Sequence, residues 1–339
     1  MTKLILILAL AASGLLLTST AYSESKTGVV IGSKKIKFPA WIKDSFLEIQ
    51  EDAKEAKQEN KHIILYFHSI GCPYCAQMMH DSFVNAPFEN FIKTNFSLIQ
   101  INLRGTRQVE FDQNTSLSEK ELAKKLGVFT IPMILFLDET GKIVARVNGY
   151  WSPTDFKLML DYVHGKHYQT MSFIEYRDQN QQLSGYRLLS HQSFIKTNDL
   201  SKLKGKPLAL LFEDNSCLLC TQFHQNVLAK PEIKKSLEGL HVVQLDAKSN
   251  LVIIGFDGQE TTAKKLADKL KLYYRPGIVF FNNGVEITRK TGMMKTFHSL
   301  MLFRFVAEKQ YLKYKSRSAF ARAERAKILA SGKNINVWD

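Results

Sequence analysis

Two apolar runs, His62-Ile63-Ile64-Leu65-Tyr66-Phe67 and Leu208-Ala209-Leu210-Leu211-Phe212, are continuous enough to read as buried strands. Each leads within a few residues into a stretch without helix breakers, Ala76-Gln77-Met78-Met79 toward Phe83 and Thr221-Gln222-Phe223 toward Val227 and Leu228. These stretches read as helices. Farther along each copy, an isolated proline opens another apolar run, Ile131-Pro132-Met133-Ile134-Leu135-Phe136 or Arg275-Pro276-Gly277-Ile278-Val279-Phe280. Turn signals follow, Asp138-Glu139-Thr140-Gly141-Lys142 and Asn282-Asn283-Gly284, and each feeds a further short strand, Ile143-Val144-Ala145 or Val285-Glu286-Ile287. The pattern is an internal repeat with an offset of about 145 residues.

A chain of 339 residues is also longer than one hydrophobic core usually serves. The repeat sets the expected boundaries: a first domain at 38–168, a polar connector at 169–205 that includes Arg177-Asp178-Gln179-Asn180-Gln181-Gln182, a second domain at 206–315, and a basic tail at 316–339. Ahead of these, Lys3 precedes an apolar stretch from Leu4 to Leu17, and small residues follow at Ser19, Ala21 and Ser23. This reads as a secretory signal over 1–23, cut after Ala21 or Ser23, because the apolar stretch is short for a membrane-spanning helix. The expected location is the periplasm.

Export decides how the cysteines are read. All four fall in two Cys-x-x-Cys pairs, Cys72-Pro73-Tyr74-Cys75 and Cys217-Leu218-Leu219-Cys220, one between the strand and the helix of each repeat. In an oxidising compartment such pairs form disulfides, whereas in the cytosol the same spacing equally suits zinc. A single tetrahedral zinc site would need both pairs together, yet each belongs to its own repeat. The pattern therefore points to thiol–disulfide chemistry done twice, with no metal and no external cofactor. At a helix start the first cysteine is exposed, and the unpaired N–H groups and the positive end of the helix dipole stabilise its thiolate. Cys72 and Cys217 are the expected nucleophiles, and Cys75 and Cys220 the resolving partners. Pro73 fits the first helical turn, where its missing N–H costs nothing.

A strand, a Cys-x-x-Cys on a helix, a crossover helix and a strand opened by an isolated proline resemble the thioredoxin fold, here present twice. The resemblance implies an α/β chain of two tandem thioredoxin-like domains, each a central mixed β-sheet flanked by helices. It also implies that Pro132 and Pro276 are cis, and that the backbones of Ile131 and Arg275 pair with a bound substrate chain. The first domain is more specific. From Ile42 to Val163, its Cys-Pro-Tyr-Cys, Phe91-Ile92-Lys93-Thr94-Asn95-Phe96, Arg104-Gly105-Thr106-Arg107, Glu121-Leu122-Ala123-Lys124-Lys125-Leu126-Gly127-Val128 and Gly149-Tyr150-Trp151-Ser152-Pro153 resemble the SoxW-type periplasmic thioredoxins. The second matches in outline, through Cys217, Cys220, Ala263-Lys264-Lys265-Leu266 and Pro276.

The chain departs from thioredoxin where that family buries a carboxylate six residues ahead of the nucleophile, since Tyr66 and Leu211 stand there. Water or another group must then take the resolving thiol's proton. Glu213 and Asp214 precede the second pair and oppose thiolate formation at Cys217, with Arg275 available to offset them. The second pair is either a relay or a structural bridge. His68, His80, Met78 and Met79 beside the first pair offer soft ligands for copper(I), or are solvent-facing and core residues. The segments Arg104–Ser118 and Lys248–Thr262 are longer than a minimal fold needs and are either groove-shaping loops or structural insertions.

The formal charge is +14, with Lys313, Lys315, Arg317, Arg322, Arg325 and Lys327 recurring on an expected C-terminal helix. A weak membrane-surface contact or an acidic protein suits this face, and nucleic acid does not suit an exported protein. No Gly-rich phosphate loop, paired-carboxylate motif or nucleophile elbow is present. The expected activity is reduction of periplasmic protein disulfides, fed by a transmembrane thiol electron donor. The alternatives are a disulfide oxidase or isomerase, and a copper-handling or client-binding protein.

Overall fold

The computed structural model describes residues 27–180, 185–272 and 274–338. The expected export signal lies outside the described residues. A two-residue strand, β1 (Val30–Ile31), opens the described chain. The first unit then runs α1 (Ile49–Gln58), β2 (His62–His68), α2 (Pro73–Met79), a π-helical turn (His80–Val84), α3 (Glu89–Asn95), β3 (Phe96–Asn102), β4 (Gln108–Asp112), β5 (Thr115–Ser118), α4 (Glu119–Lys125), β6 (Met133–Leu137), β7 (Ile143–Asn148) and α5 (Pro153–His164). After α6 (Phe173–Asn180), the second unit runs β8 (Leu208–Glu213), α7 (Cys220–Phe223), a π-helical turn (His224–Leu228), α8 (Pro231–Leu237), β9 (His241–Asp246), β10 (Val252–Ile254), β11 (Glu260–Thr262), α9 (Ala263–Lys269), β12 (Gly277–Asn282), β13 (Val285–Thr291) and α10 (Thr296–Ala307). Last come α11 (Arg317–Ala330) and β14 (Ile335–Asn336). No helix among the described residues is long and apolar enough to cross a membrane.

Each unit holds one four-stranded mixed sheet, ordered β3-β2-β6-β7 and β9-β8-β12-β13. The pairs β2–β3 and β8–β9 are parallel and the others antiparallel. This is the expected architecture of two α/β units. The apolar runs become central strands because alternate residues serve opposite faces. Ile64 and Tyr66 meet Met78 and Phe156 on one side of β2, whereas Ile63, Leu65 and Phe67 meet Ile49 and Leu122 on the other. In β8, Leu211 faces Phe223 and Leu302, and Leu210 and Phe212 face Ala267. Burying each such side chain contributes about 1.5–3 kcal/mol. The Asn283-Gly284 turn between β12 and β13 has φ of 50° and 78°, the two left-handed residues that a two-residue hairpin turn requires.

Three readings change. The two long segments are antiparallel hairpins, β4–β5 and β10–β11, that lead straight into N-capped helices. Ser118 and Thr262 accept from the backbone N–H three residues on. The helix starts at Glu119 and Ala263 also show that the two Ala-Lys-Lys-Leu motifs are one helical turn out of step. Leu122-Ala123, not Leu126-Gly127, corresponds to Leu266-Ala267, because Leu122, Ala123 and Ala267 are core positions and Leu266 packs against the core. The stretch read as a basic tail holds α11, which buries Phe320 in the second core, and β14, which pairs in parallel with β1.

Candidate redox site

In the first unit Cys72 is the N-cap of α2, with Pro73 as the first helical residue. The backbone N–H of Cys75 donates to Cys72 Sγ at 3.1 Å, so a reduced Cys72 would have a hydrogen-bond donor and the helix end aimed at its sulfur. Cys72 is half-buried, Cys75 is fully buried, and the two are disulfide-bonded with Cα atoms 5.3 Å apart. Among the described residues no carboxylate hydrogen-bonds to Cys75. Tyr66, buried in that place, donates its hydroxyl to the Cys75 carbonyl at 2.8 Å, and burial pushes its phenol well above the usual range.

Both X-Pro bonds are cis, Ile131–Pro132 and Arg275–Pro276. In both units the proline carbonyl accepts from the N–H of a glycine just past the following hairpin, Gly149 or Gly292, at 2.8 Å. Both glycines have positive φ, 78° and 79°. The left-handed φ is what favours glycine at both positions, and at Gly149 the Lys290 ammonium of the second unit lies close by, 2.7 Å from where a Cβ would sit. The backbone N–H and carbonyl of Ile131 have no hydrogen-bond partner among the described residues.

The second unit and the chain termini border the first motif. Tyr74, between the cysteines, accepts from the backbone N–H of Lys295 at 2.9 Å, and its hydroxyl lies 3.3 Å from His298 Nδ1. Its ring also meets Trp338 edge-on at 5.6 Å, and Lys34 and Lys295 sit over the Trp338 ring. Ser33 donates to the carbonyl of Gly71 at 3.2 Å. Burial, reinforced by the charges of Arg317, Lys290 and Arg325, brings His298 down to about 4. The ring is thus neutral at ordinary pH, and its Nδ1 shares a hydrogen bond with the Tyr74 hydroxyl.

The second pair sits differently. α7 begins at Cys220, with Leu219 as its N-cap, so Cys217 lies outside the helix and lacks the helix-end stabilisation expected for it. The reason is local. Asp214 takes the Ser216 hydroxyl and backbone N–H, and its own carbonyl accepts from Cys217 N–H, forming a turn that delays the helix. No proline follows Cys217 to start a helical turn. Cys217 is 3 % exposed and Cys220 0 %, and Tyr186 of the connector packs on both. The Tyr186 hydroxyl donates to Glu213 at 2.8 Å.

The acids ahead of Cys217 are occupied. Glu213, fully buried, also takes Gln244 at 2.6 Å and lies 3.0 Å from His224. Arg275 gives Nε to Asp214 at 2.9 Å and Nη1 to the Leu272 carbonyl. Burial alone would raise Asp214, but Arg275 holds its carboxyl below the ordinary value. Arg275 therefore offsets the carboxylate by pairing with it directly.

His68 and His80 occupy separate surroundings. His68 is buried against Phe38 and Tyr66 and bonded to Gln100, while His80 is exposed beside Asp81. Met78 and Met79 are core residues. No group of three or more His, Cys, Asp or Glu among the described residues is arranged to hold a metal ion. Residues that the sequence pattern missed are Tyr186, His298, Trp338 and Tyr274. Only Tyr274 and Trp338 carried a hint, one as an aromatic just ahead of Arg275-Pro276 and the other as a tryptophan near the chain end.

The structure holds two units with one Cys-x-x-Cys and one cis-proline each, an arrangement that fits a thiol–disulfide oxidoreductase. No curated protein matches the chain. Among solved structures, a thioredoxin-fold protein from Helicobacter pylori is 25% identical, covering 35% of this chain and 84% of that one, with a TM-score of 0.32. An oxidoreductase named DsbH is 18% identical over 45% of this chain and 95% of that one, TM-score 0.27. The C-terminal domain of DsbD from Neisseria meningitidis, in the reduced form, is 16% identical over 30% and 81%, TM-score 0.24. The model of the thioredoxin-like domain matches twice, at residues 49–164 and 196–306, one match on each unit. Those matches span more than half of the chain, and the protein belongs to the thioredoxin-like domain family, with two such domains in tandem.

Proposed function

We propose that the protein is an exported thiol–disulfide oxidoreductase that reduces disulfides of periplasmic client proteins at Cys72/Cys75. The observation that carries this reading is a half-exposed Cys72 at the start of α2, with the Cys75 N–H on its sulfur and a free Ile131 backbone ahead of a cis-proline. In the reduced protein the Cys72 thiolate attacks a client sulfur, breaking the client S–S bond and forming a mixed disulfide. The Cys75 thiolate then attacks Cys72, and the client leaves as a dithiol after taking up two protons. Two electrons have moved to the client, and the Cys72–Cys75 disulfide remains. A transmembrane thiol donor returns the electrons, since an oxidising compartment supplies none. The basic face of α11 suits a weak contact with a membrane surface. The likeness of the first domain to SoxW-type thioredoxins supports the reducing direction.

Cys217/Cys220 fits a structural bridge better than a relay, because Tyr186 shields it and Cys217 lies outside the helix end. Insulin reduction with a chemical thiol donor tests the central reading. Wild-type chain and Cys217→Ser/Cys220→Ser chain should both turn over, and Cys72→Ser should not. Retained turnover in Cys72→Ser defeats the proposal. An oxidase would instead show Cys72/Cys75 at a potential near about −120 mV, and a reductant near about −270 mV.

A further inference from the structure

A cleft of about 970 Å³ opens between the two units, walled by Phe129 and Thr130 on one side and by β13 and the start of α11 on the other. It continues into a recess of about 310 Å³ that reaches Trp151 and Tyr274 and shares Phe129, Thr130 and Arg289 with the larger space. Phe129 and Thr130 immediately precede Ile131 and the cis-proline, so the cleft starts where a client chain would lie along the free Ile131 backbone.

Its charge is one-sided. Arg146, Lys271, Arg289, Lys290, Lys315 and Arg317 line the two spaces, and the single acidic residue there, Glu286, is already paired with Arg289. Among the described residues, none of the other five has a carboxylate within salt-bridge distance. Arg317 Nη1 is buried with no hydrogen-bond partner among the described residues. The apolar rim is equally open, since Phe129 is 72% and Val285 71% exposed. Burial and the nearby Arg317 bring Lys290 down to about 8, as expected for cations crowded without a counter-charge.

We propose that this cleft is a docking surface for an acidic, aromatic-tolerant segment of the client protein flanking its target disulfide, with the second domain supplying most of the charge. The inference rests on Cys72/Cys75 being the exchange centre. An extended peptide is favoured over a small anion because the space is large and open and its wall residues Phe129 and Thr130 adjoin the unpaired backbone of Ile131 in the chain. Complementary charge raises the encounter rate and selects among clients.

The test uses the full chain and two disulfide-bonded peptides that share a core and differ only in flanks rich in Glu or in Lys. The Glu-flanked peptide should be reduced about tenfold faster at low salt, with the difference shrinking as salt is added. The exposed pair Lys271→Glu and Lys315→Glu should nearly abolish the preference, and Lys271→Gln with Lys315→Gln should reduce it by less, while the rate toward a small neutral disulfide stays unchanged. Equal rates for the two peptides in the wild-type chain, or an unaltered preference in both variants, overturn the docking surface and leave the exchange reading intact. If neither peptide is reduced but a cysteine-free Glu-rich peptide still binds by fluorescence anisotropy, the exchange reading fails and the surface stands. If inorganic phosphate binds and the peptide does not, the cleft is a small-anion site and the proposal is wrong.

Discussion

Tyr66 stands where thioredoxins bury a carboxylate, and its hydroxyl is committed to the carbonyl of Cys75. A phenol held neutral by burial is no proton acceptor, so in the proposed exchange the Cys75 proton would pass to solvent or to the client. Tyr66→Phe keeps the ring and removes one of the bonds to a helical carbonyl, and should cost about 0.5–1.5 kcal/mol in a denaturant titration. The substitution of Tyr for an acid was legible in the sequence, whereas its hydrogen bond was not, because the bond depends on how α2 packs on β2. The same holds for His298. It lies far along the chain from Tyr74, and nothing in its neighbours Phe297 and Ser299 marks it as a partner. Its folded value of about 4 lies below the ordinary 6.5, so the fold favours the neutral ring. The unfolded chain binds the extra proton between those values, and stability is full above pH 6.5 and falls as pH drops toward 4. His298 contributes at most roughly 3 kcal/mol of that loss, and His298→Gln should flatten the slope in melts taken across this window.

The two helices that follow the cysteine motifs begin differently, and that difference separates the two sites. A proline at the first helical position lets α2 start at the cysteine, while the Asp214 turn postpones α7 until Cys220. Cysteine spacing, the central strands and the hairpin turns could be read along the chain because each has a local cause, whereas the cis state of the two prolines followed only from the family resemblance. Shielding by Tyr186 could not, since the connector's polar composition says nothing of where one aromatic lands. Removing that ring exposes the second disulfide and leaves Glu213 without one of its donors. Tyr186→Ala should speed reduction of Cys217–Cys220 by dithiothreitol at least about tenfold, and should destabilise the second domain by about 1–3 kcal/mol. An unchanged rate, followed by mass spectrometry of alkylated protein, means that the connector does not protect the pair.

At the scale of the molecule, the cis-proline loop of the second domain is fixed against the first. Tyr274 stacks on Trp151 with ring centres 4.5 Å apart, donates to Asp155 at 3.0 Å and accepts from Ser152 N–H at 3.1 Å. Together with the β1–β14 pair and the Tyr74 clamp, this makes the first redox motif part of the joint between units. A repeat read from sequence gives two domains but not this joint, because its partners are scattered among positions the repeat does not share. Tyr274→Ala should destabilise the protein by roughly 3–5 kcal/mol and separate one thermal transition into two. Retention of a single, unshifted transition would show that the stack does not couple the domains.

The division of labour between the cysteine pairs is tested most directly by partial reduction of the native chain, quenched with alkylating agent and read by mass spectrometry at each cysteine. Cys72 and Cys75 should be labelled at least about a hundredfold sooner than Cys217 and Cys220, because exchange needs an accessible sulfur. Labelling of Cys217 and Cys220 first, or of both pairs together, would contradict the assignment of the first pair as the exchange centre.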